Sequence, residues 1–153
     1  MIRTLQLALP ALVVLATPAV GLECTAVHFG PFGQKLAEAT CEDLRANEGP
    51  DIHVQVDSTG PGALILHVIF PDMAVPTEST ELAGLERFTH RLARDVEHFA
   101  EENHRREDVT VTAANVLFSD PTESFLVIRK GGEVIESKWT TIGEEVTEGR
   151  AEP

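Results

Sequence analysis

The chain has no tyrosine, one tryptophan, two methionines and only two cysteines in its 153 residues. The missing tyrosine removes one common general acid. Cys24 and Cys41 are the only thiols, so there is no C-x-x-C pair and no thioredoxin-like redox motif. No G-x-S-x-G elbow holds a nucleophile, and no cysteine stands beside a candidate base. Neither a P-loop nor G-x-G-x-x-G is present, so nucleotide binding lacks its glycine signature. Around His98 and His104 neither H-E-x-x-H nor H-x-x-E-H occurs, which excludes the zincin patterns. These absences point away from an enzyme and set the expectation of a chain that needs no cofactor.

Positive charge is scarce as well. Twelve Lys and Arg face 25 Asp and Glu, a net charge of −13. Nucleic-acid binding needs a basic patch to neutralise phosphates, so the balance argues against it and against anionic membrane surfaces. The same charge favours solubility and steers a cationic partner.

What is present begins with MIRTLQLALPALVVLATPAVG. Arg3 supplies a positive start, Leu5 to Ala16 an apolar core, and Ala19 or Gly21 small residues at the cleavage point. Residues 1–21 read as a signal peptide. Pro10 and Pro18 interrupt the run, which is short for a spanning helix of about 20 apolar residues, so no stable membrane insertion is expected. The protein is therefore expected to be exported, to a periplasm or the medium. Without Arg3, 11 basic residues stand against 25 acidic ones, a net charge of −14. Two cysteines in an oxidising compartment predict a disulfide between Cys24 and Cys41, worth about 3 kcal/mol on the chain-entropy account.

Residues 22–142 are long enough for one domain. Phe29 to Gly33 reads as a turn-rich bend, and Gln34 to Ala46 as a short helix stopped by Asn47-Glu-Gly-Pro50. Ile52, Val54 and Val56 alternate with His53, Gln55 and Asp57, and Leu64 to Phe70 is almost continuously apolar, which predicts a β-hairpin. A loop over residues 58–62 would pair Asp57 with Ala63 and set His53 opposite His67. From Thr77 to Asn103, Leu82, Leu85, Phe88, Leu92, Val96 and Phe99 recur at spacings of three and four, one face of a long helix with Thr77 or Ser79 as cap. Val109 to Phe118 is β-branched and apolar. Ser124–Lys130 and Glu133–Trp139 flank Gly131-Gly132 as a second hairpin, aligned so that Ile128 meets Ile135 and Trp139 extends that same face. The expected class is α+β: an antiparallel sheet of about five strands, β-β-α-β-β-β, with the long helix on one face and a short N-terminal helix. Residues 143–153 are acidic with Val146 as the only aliphatic side chain larger than alanine, and are expected to be a disordered tail.

Three constellations carry candidate chemistry. His53 and His67, opposed across the hairpin, would offer two imidazoles to Zn²⁺ or Cu²⁺, with no clear third ligand where sites take three or four. Glu97, Glu101 and His104 include a Glu-x-x-His step, but a bundle metal site requires a second such pair, and salt-bridged solvent exposure accounts for them. Asp57-Ser-Thr-Gly60 is similar to the loop of an aspartic protease but occurs once and with an extra residue, where the dyad needs two, so a hairpin turn explains it. The favoured function is surface binding to a protein partner or to a second copy. The expected contact surface is the outer face of the first hairpin, with His53, Ile65, His67 and Ile69, because Val54, Val56, Leu64 and Leu66 already supply a core face.

Overall fold

The computed structural model describes residues 22–45, 51–105, 107–119 and 122–141. The expected signal peptide and acidic tail lie outside them. The elements run β1 (Leu22–Ala26), α1 (Gly30–Arg45), β2 (Ile52–Gly60), β3 (Ala63–Phe70), α2 (Ser79–Glu102), β4 (Val111–Ser119), β5 (Thr122–Lys130) and β6 (Glu133–Thr141). The six strands form one sheet in sequence order.

The α+β class is as expected, but the sheet is mixed rather than antiparallel and has six strands rather than about five. β1 pairs parallel with β2, and β3 parallel with β4, while the other neighbours are antiparallel. The helices explain this. Each lies between two adjacent strands and carries the chain back along the sheet, so the second strand starts where the first started. β1 has the sequence LECTA, an apolar-polar alternation only five residues long beside the expected cleavage point, and was not expected as a strand.

Both helices pack on one face. Leu36, Ala37, Cys41 and Leu44 of α1 and Leu92, Ala93, Val96 and Ala100 of α2 share a buried cluster with Val54, Val56, Leu64, Leu66, Val68, Val116, Phe118 and Val127. The aromatic rings organise its ends. Phe32 meets Phe99 between the helices at 5.6 Å, Phe70 stacks on Phe118 at 5.5 Å, and Phe125 meets Trp139 at 5.2 Å. The helical period in α2 is thus correctly read, with Leu92 and Val96 buried and Leu85, Phe88 and Phe99 half-buried against the core. Its cap is not: Glu78 holds that position, without a side-chain hydrogen bond. α1 begins at Gly30, inside the expected bend. It approaches the end of β1 so closely that a Cβ on Gly33 would lie 2.3 Å from the His28 carbonyl oxygen. Cys24 and Cys41 are bonded, tying β1 to α1.

Two registers differ from expectation. In the first hairpin Asp57 pairs with Ile65, not Ala63, because an irregularity between Ser58 and Gly60 lets pairing continue to Gly60–Ala63 around a tight Pro61-Gly62 turn. The Ser58 hydroxyl donates to the Gly60 carbonyl at 2.8 Å and supports that irregularity. The shift is two residues, so every side chain keeps its face. His53 is consequently opposite Ile69, and His67 opposite Gln55. In the second hairpin Lys130 does pair with Glu133 across Gly131-Gly132, whose φ values of +61° and +88° suit a type I′ turn. Then the ladder shifts by one, so that Arg129 pairs with Val134 and Ile128 with Glu136. Ile135 is the extra residue. A slip of one exchanges faces, so Trp139 opposes Phe125 on the helix side instead of extending the Ile128 face.

Candidate functional site

The sheet's second face follows from the ladder. One row crosses Glu23, His53, Ile69, Leu117, Ser124 and Thr140. The next crosses Thr25, Gln55, His67, Asn115, Leu126 and Lys138, and a third Asp57, Ile65, Ala113, Ile128 and Glu136. Neither helix packs here: Ile65 and Ala113 are each 6% exposed, yet both stand outside the cluster that contains the helices. Ile69, Leu117, Leu126 and Ile128 are half-buried around them. Four adjacent strands thus bring together an apolar field crossed by a polar row. The expected surface residues His53, Ile65, His67 and Ile69 all lie on this face. Asn115, Leu117, Leu126 and Ile128 belong with them and were missed. Alternation along Val111–Phe118 was the available signal for the first two. The bulge at Ile135 hid the parity of the others.

The edge of the field towards β1 is anionic. Asp57 accepts a hydrogen bond from the Ser58 amide at 2.7 Å and contacts His28 Nδ1 at 2.6 Å. The Ser58 bond foremost, then His28, holds the Asp57 carboxyl below its ordinary range against an opposing burial effect. His67 is pushed the other way from a charged state. Burial lowers its pKa, and the Asp57 charge opposes that only in part. Its Nδ1 lies 3.4 Å from the Asn115 side-chain nitrogen. The Asn115 carbonyl oxygen is buried with no hydrogen-bond partner among the described residues.

The metal expectation loses its geometry. His53 and His67 are diagonal neighbours, about 7 Å apart in such a ladder, rather than directly opposed. His53 lies 3.9 Å from Glu23, and among the described residues no three His, Cys, Asp or Glu side chains converge. Glu97, expected on a solvated face, instead reaches the sheet. It accepts from Arg129 Nε at 2.8 Å and from the Gly132 amide at 2.9 Å, with both side chains only 14% exposed. Glu101 and Glu102 lie beside His98, while His104 is exposed with φ of +59°. Asp57-Ser-Thr-Gly60 is the irregular end of β2, with Asp57 on the open face.

Two other surfaces involve the helices. A groove between the helices, floored by Leu66 and rimmed by Asp43 and Asp95, has a volume of about 180 Å³. Pockets for drug-sized ligands start at about 300 Å³. Arg87, Arg91 and Arg94 form a cationic stripe on the exposed side of α2, where Arg91 lies over the Phe88 ring. No protein-family model, no curated protein and no solved structure matches this chain.

Proposed function

We propose that this is an exported binding domain, without catalysis of its own, that takes up a protein partner on the open face of its sheet. One observation carries the reading: Ile65, Ile69, Ala113, Leu117, Leu126 and Ile128 form an apolar field, crossed by His67 and Asn115, on a face that neither helix covers. Scattered surface aliphatics are ordinary, whereas a contiguous field rimmed by polar groups is what interaction sites present. The intramolecular Cys24–Cys41 bond fits an oxidising compartment.

The partner's chemistry is set by the rim. Its centre is apolar, and it carries positive charge towards Glu23 and Asp57. The acidic balance of the whole chain attracts such a partner from a distance. His67 is already desolvated, and a partner laid over it deepens that, so acid weakens the contact as the imidazole gains a proton.

The test uses Ile69→Asp. Ile69 is half-buried and opposite His53, which can pair with the new carboxylate, so the variant is expected to fold. Ile65→Asp is a poorer probe, because it would bury a charge directly opposite Asp57. Wild type, Ile69→Asp and an Arg94→Ala control are immobilised, exposed to the native envelope fraction, and eluates are compared by mass spectrometry. Ile69→Asp should lose a species that Arg94→Ala retains. Equal capture by all three, with unchanged circular dichroism, would refute the reading.

A further inference from the structure

A second, independent surface lies at the sheet's edge. β6 is an edge strand of nine residues, and Glu133 to Lys138 are all exposed, with Val134 at 42% and Ile135 at 57%. Such an edge offers a row of backbone donors and acceptors to another strand. The sequence EVIESKWTT sets which strand fits. In an antiparallel pair, opposed residues share a face. A two-fold axis perpendicular to the sheet therefore passes through one residue and its own copy, and only a few centres are available on β6. Centring on Glu136 opposes two glutamates, and centring on Lys138 opposes two lysines. Centring on Ser137, just beyond the bulge at Ile135, pairs Glu136, Ser137 and Lys138 with the same three residues of the second copy. It sets Glu136 opposite the partner's Lys138, twice by symmetry.

We propose that β6 pairs antiparallel with β6 of a second copy of this chain, centred on Ser137, giving a symmetric dimer with one continuous twelve-stranded sheet. The two charge pairs lie on the open face, since Glu136 and Lys138 oppose Ile128 and Leu126 there. Within each strand Lys138 Nζ already lies 2.9 Å from Glu136 Oε2, so pairing assembles four alternating charges around the axis. Opposite charges across a ladder stabilise the register, and like charges destabilise it. The helices of both copies remain on one side, and the two open faces become neighbours on the other. This surface is separate from the field around Ile65 and Ile69, and either assignment stands without the other.

The experiment is a charge exchange read by sedimentation equilibrium on the native, processed protein. Wild type should dimerise, more weakly as salt is raised. Glu136→Lys and Lys138→Glu each make both cross-strand pairs repulsive, so each should raise the dissociation constant about tenfold or more. The decisive sample is their equimolar mixture, in which one strand carries only lysines and the other only glutamates at these positions. It should form a heterodimer tighter than either variant alone. Glu136→Lys/Lys138→Glu together should dimerise like wild type. Both positions are exposed, and the single tryptophan reports that the fold is intact. A monomeric wild type at all concentrations, single variants that still dimerise, or a mixture that stays monomeric would each overturn the proposal. So would a dimer that Ile69→Asp abolishes and Lys138→Glu leaves intact, because self-association would then belong to the open face.

Discussion

Leu92→Ala tests the packing of α2 most directly. Leu92 is 4% exposed and lies in the cluster beneath the helix with Val96, Leu66 and Leu36. Large-to-small changes of this kind cost about 2–5 kcal/mol, with the upper values reserved for sites that leave a sealed cavity. Leu92 also lines the groove between the helices, a space of about 180 Å³ open to solvent. The missing side chain would merge with that groove instead of leaving an enclosed void, which places the expected loss at about 2–3.5 kcal/mol. The control is Arg94→Ala, two residues away on the exposed side, with an expected loss under about 0.5 kcal/mol. Arg91 is a worse control, because its guanidinium stacks on Phe88 at 5.4 Å and such contacts contribute about 0.5–1 kcal/mol. Urea unfolding followed by fluorescence of Trp139, the only tryptophan, measures both. With a slope of about 1–3 kcal/mol per molar, Leu92→Ala should lower the midpoint by roughly 1 M or more. Equal midpoints would show that α2 is rotated relative to the sheet and that the face assignment is wrong.

Four further outcomes are expected. Thiol labelling of denatured, non-reduced protein should find no free cysteine, and reduction should lower stability by about 3 kcal/mol at constant pH. Because burial lowers the pKa of His67, its imidazole is neutral in both folded and unfolded chains above about pH 6.5. As pH falls through that value the unfolded chain gains a proton that the folded one resists, so the unfolding free energy should drop, and His67→Gln should remove that part of the slope. Glu97→Ala strands the Arg129 guanidinium and the Gly132 amide, and should cost about 2–3 kcal/mol by chemical denaturation, with Glu97→Gln milder because it keeps an acceptor. Gly33→Ala should cost about 1–3 kcal/mol, since its methyl group meets the His28 carbonyl and not a movable side chain.

What the sequence disclosed, and what it withheld, divides along a physical line. Spacings of three and four disclosed the buried side of α2, because a helix repeats its face whatever it packs against. Alternation in Ile52–Val56 disclosed both faces of β2, and the face survived a register error of two because the strand period is two. Cys24 and Cys41 disclosed their bond by number alone. Pairing direction was withheld, since it depends on where a helix returns the chain and not on any strand's residues. β1 was withheld because its alternation covers only five residues beside the expected cleavage point. The bulge was withheld because Ile135 is a good strand residue in either parity. That single insertion misplaced Trp139, and so concealed that Leu126 and Ile128 join Ile65 and Ile69 on one surface. His53 and His67 were placed on the correct face but two residues out of register, so that they are diagonal rather than directly opposed.

The bond between Cys24 and Cys41 makes the two edges of the sheet dynamically unequal. β1 is short and parallel, the weaker kind of edge, yet it cannot separate from β2 without carrying α1 with it. β6 is longer and is held by its ladder, by Trp139 packing on Phe125 and donating to Glu86, and by the Arg129 and Gly132 contacts to Glu97 at its turn, with no covalent tie among the described residues. In a single chain, amide hydrogens between β5 and β6 should therefore exchange through local peeling at low free energy. Those between β1 and β2 should exchange only through openings large enough to move a helix. Reduction would remove that difference by freeing β1 to fray alone, so the oxidation state of one pair of sulfurs determines which end of the sheet opens first.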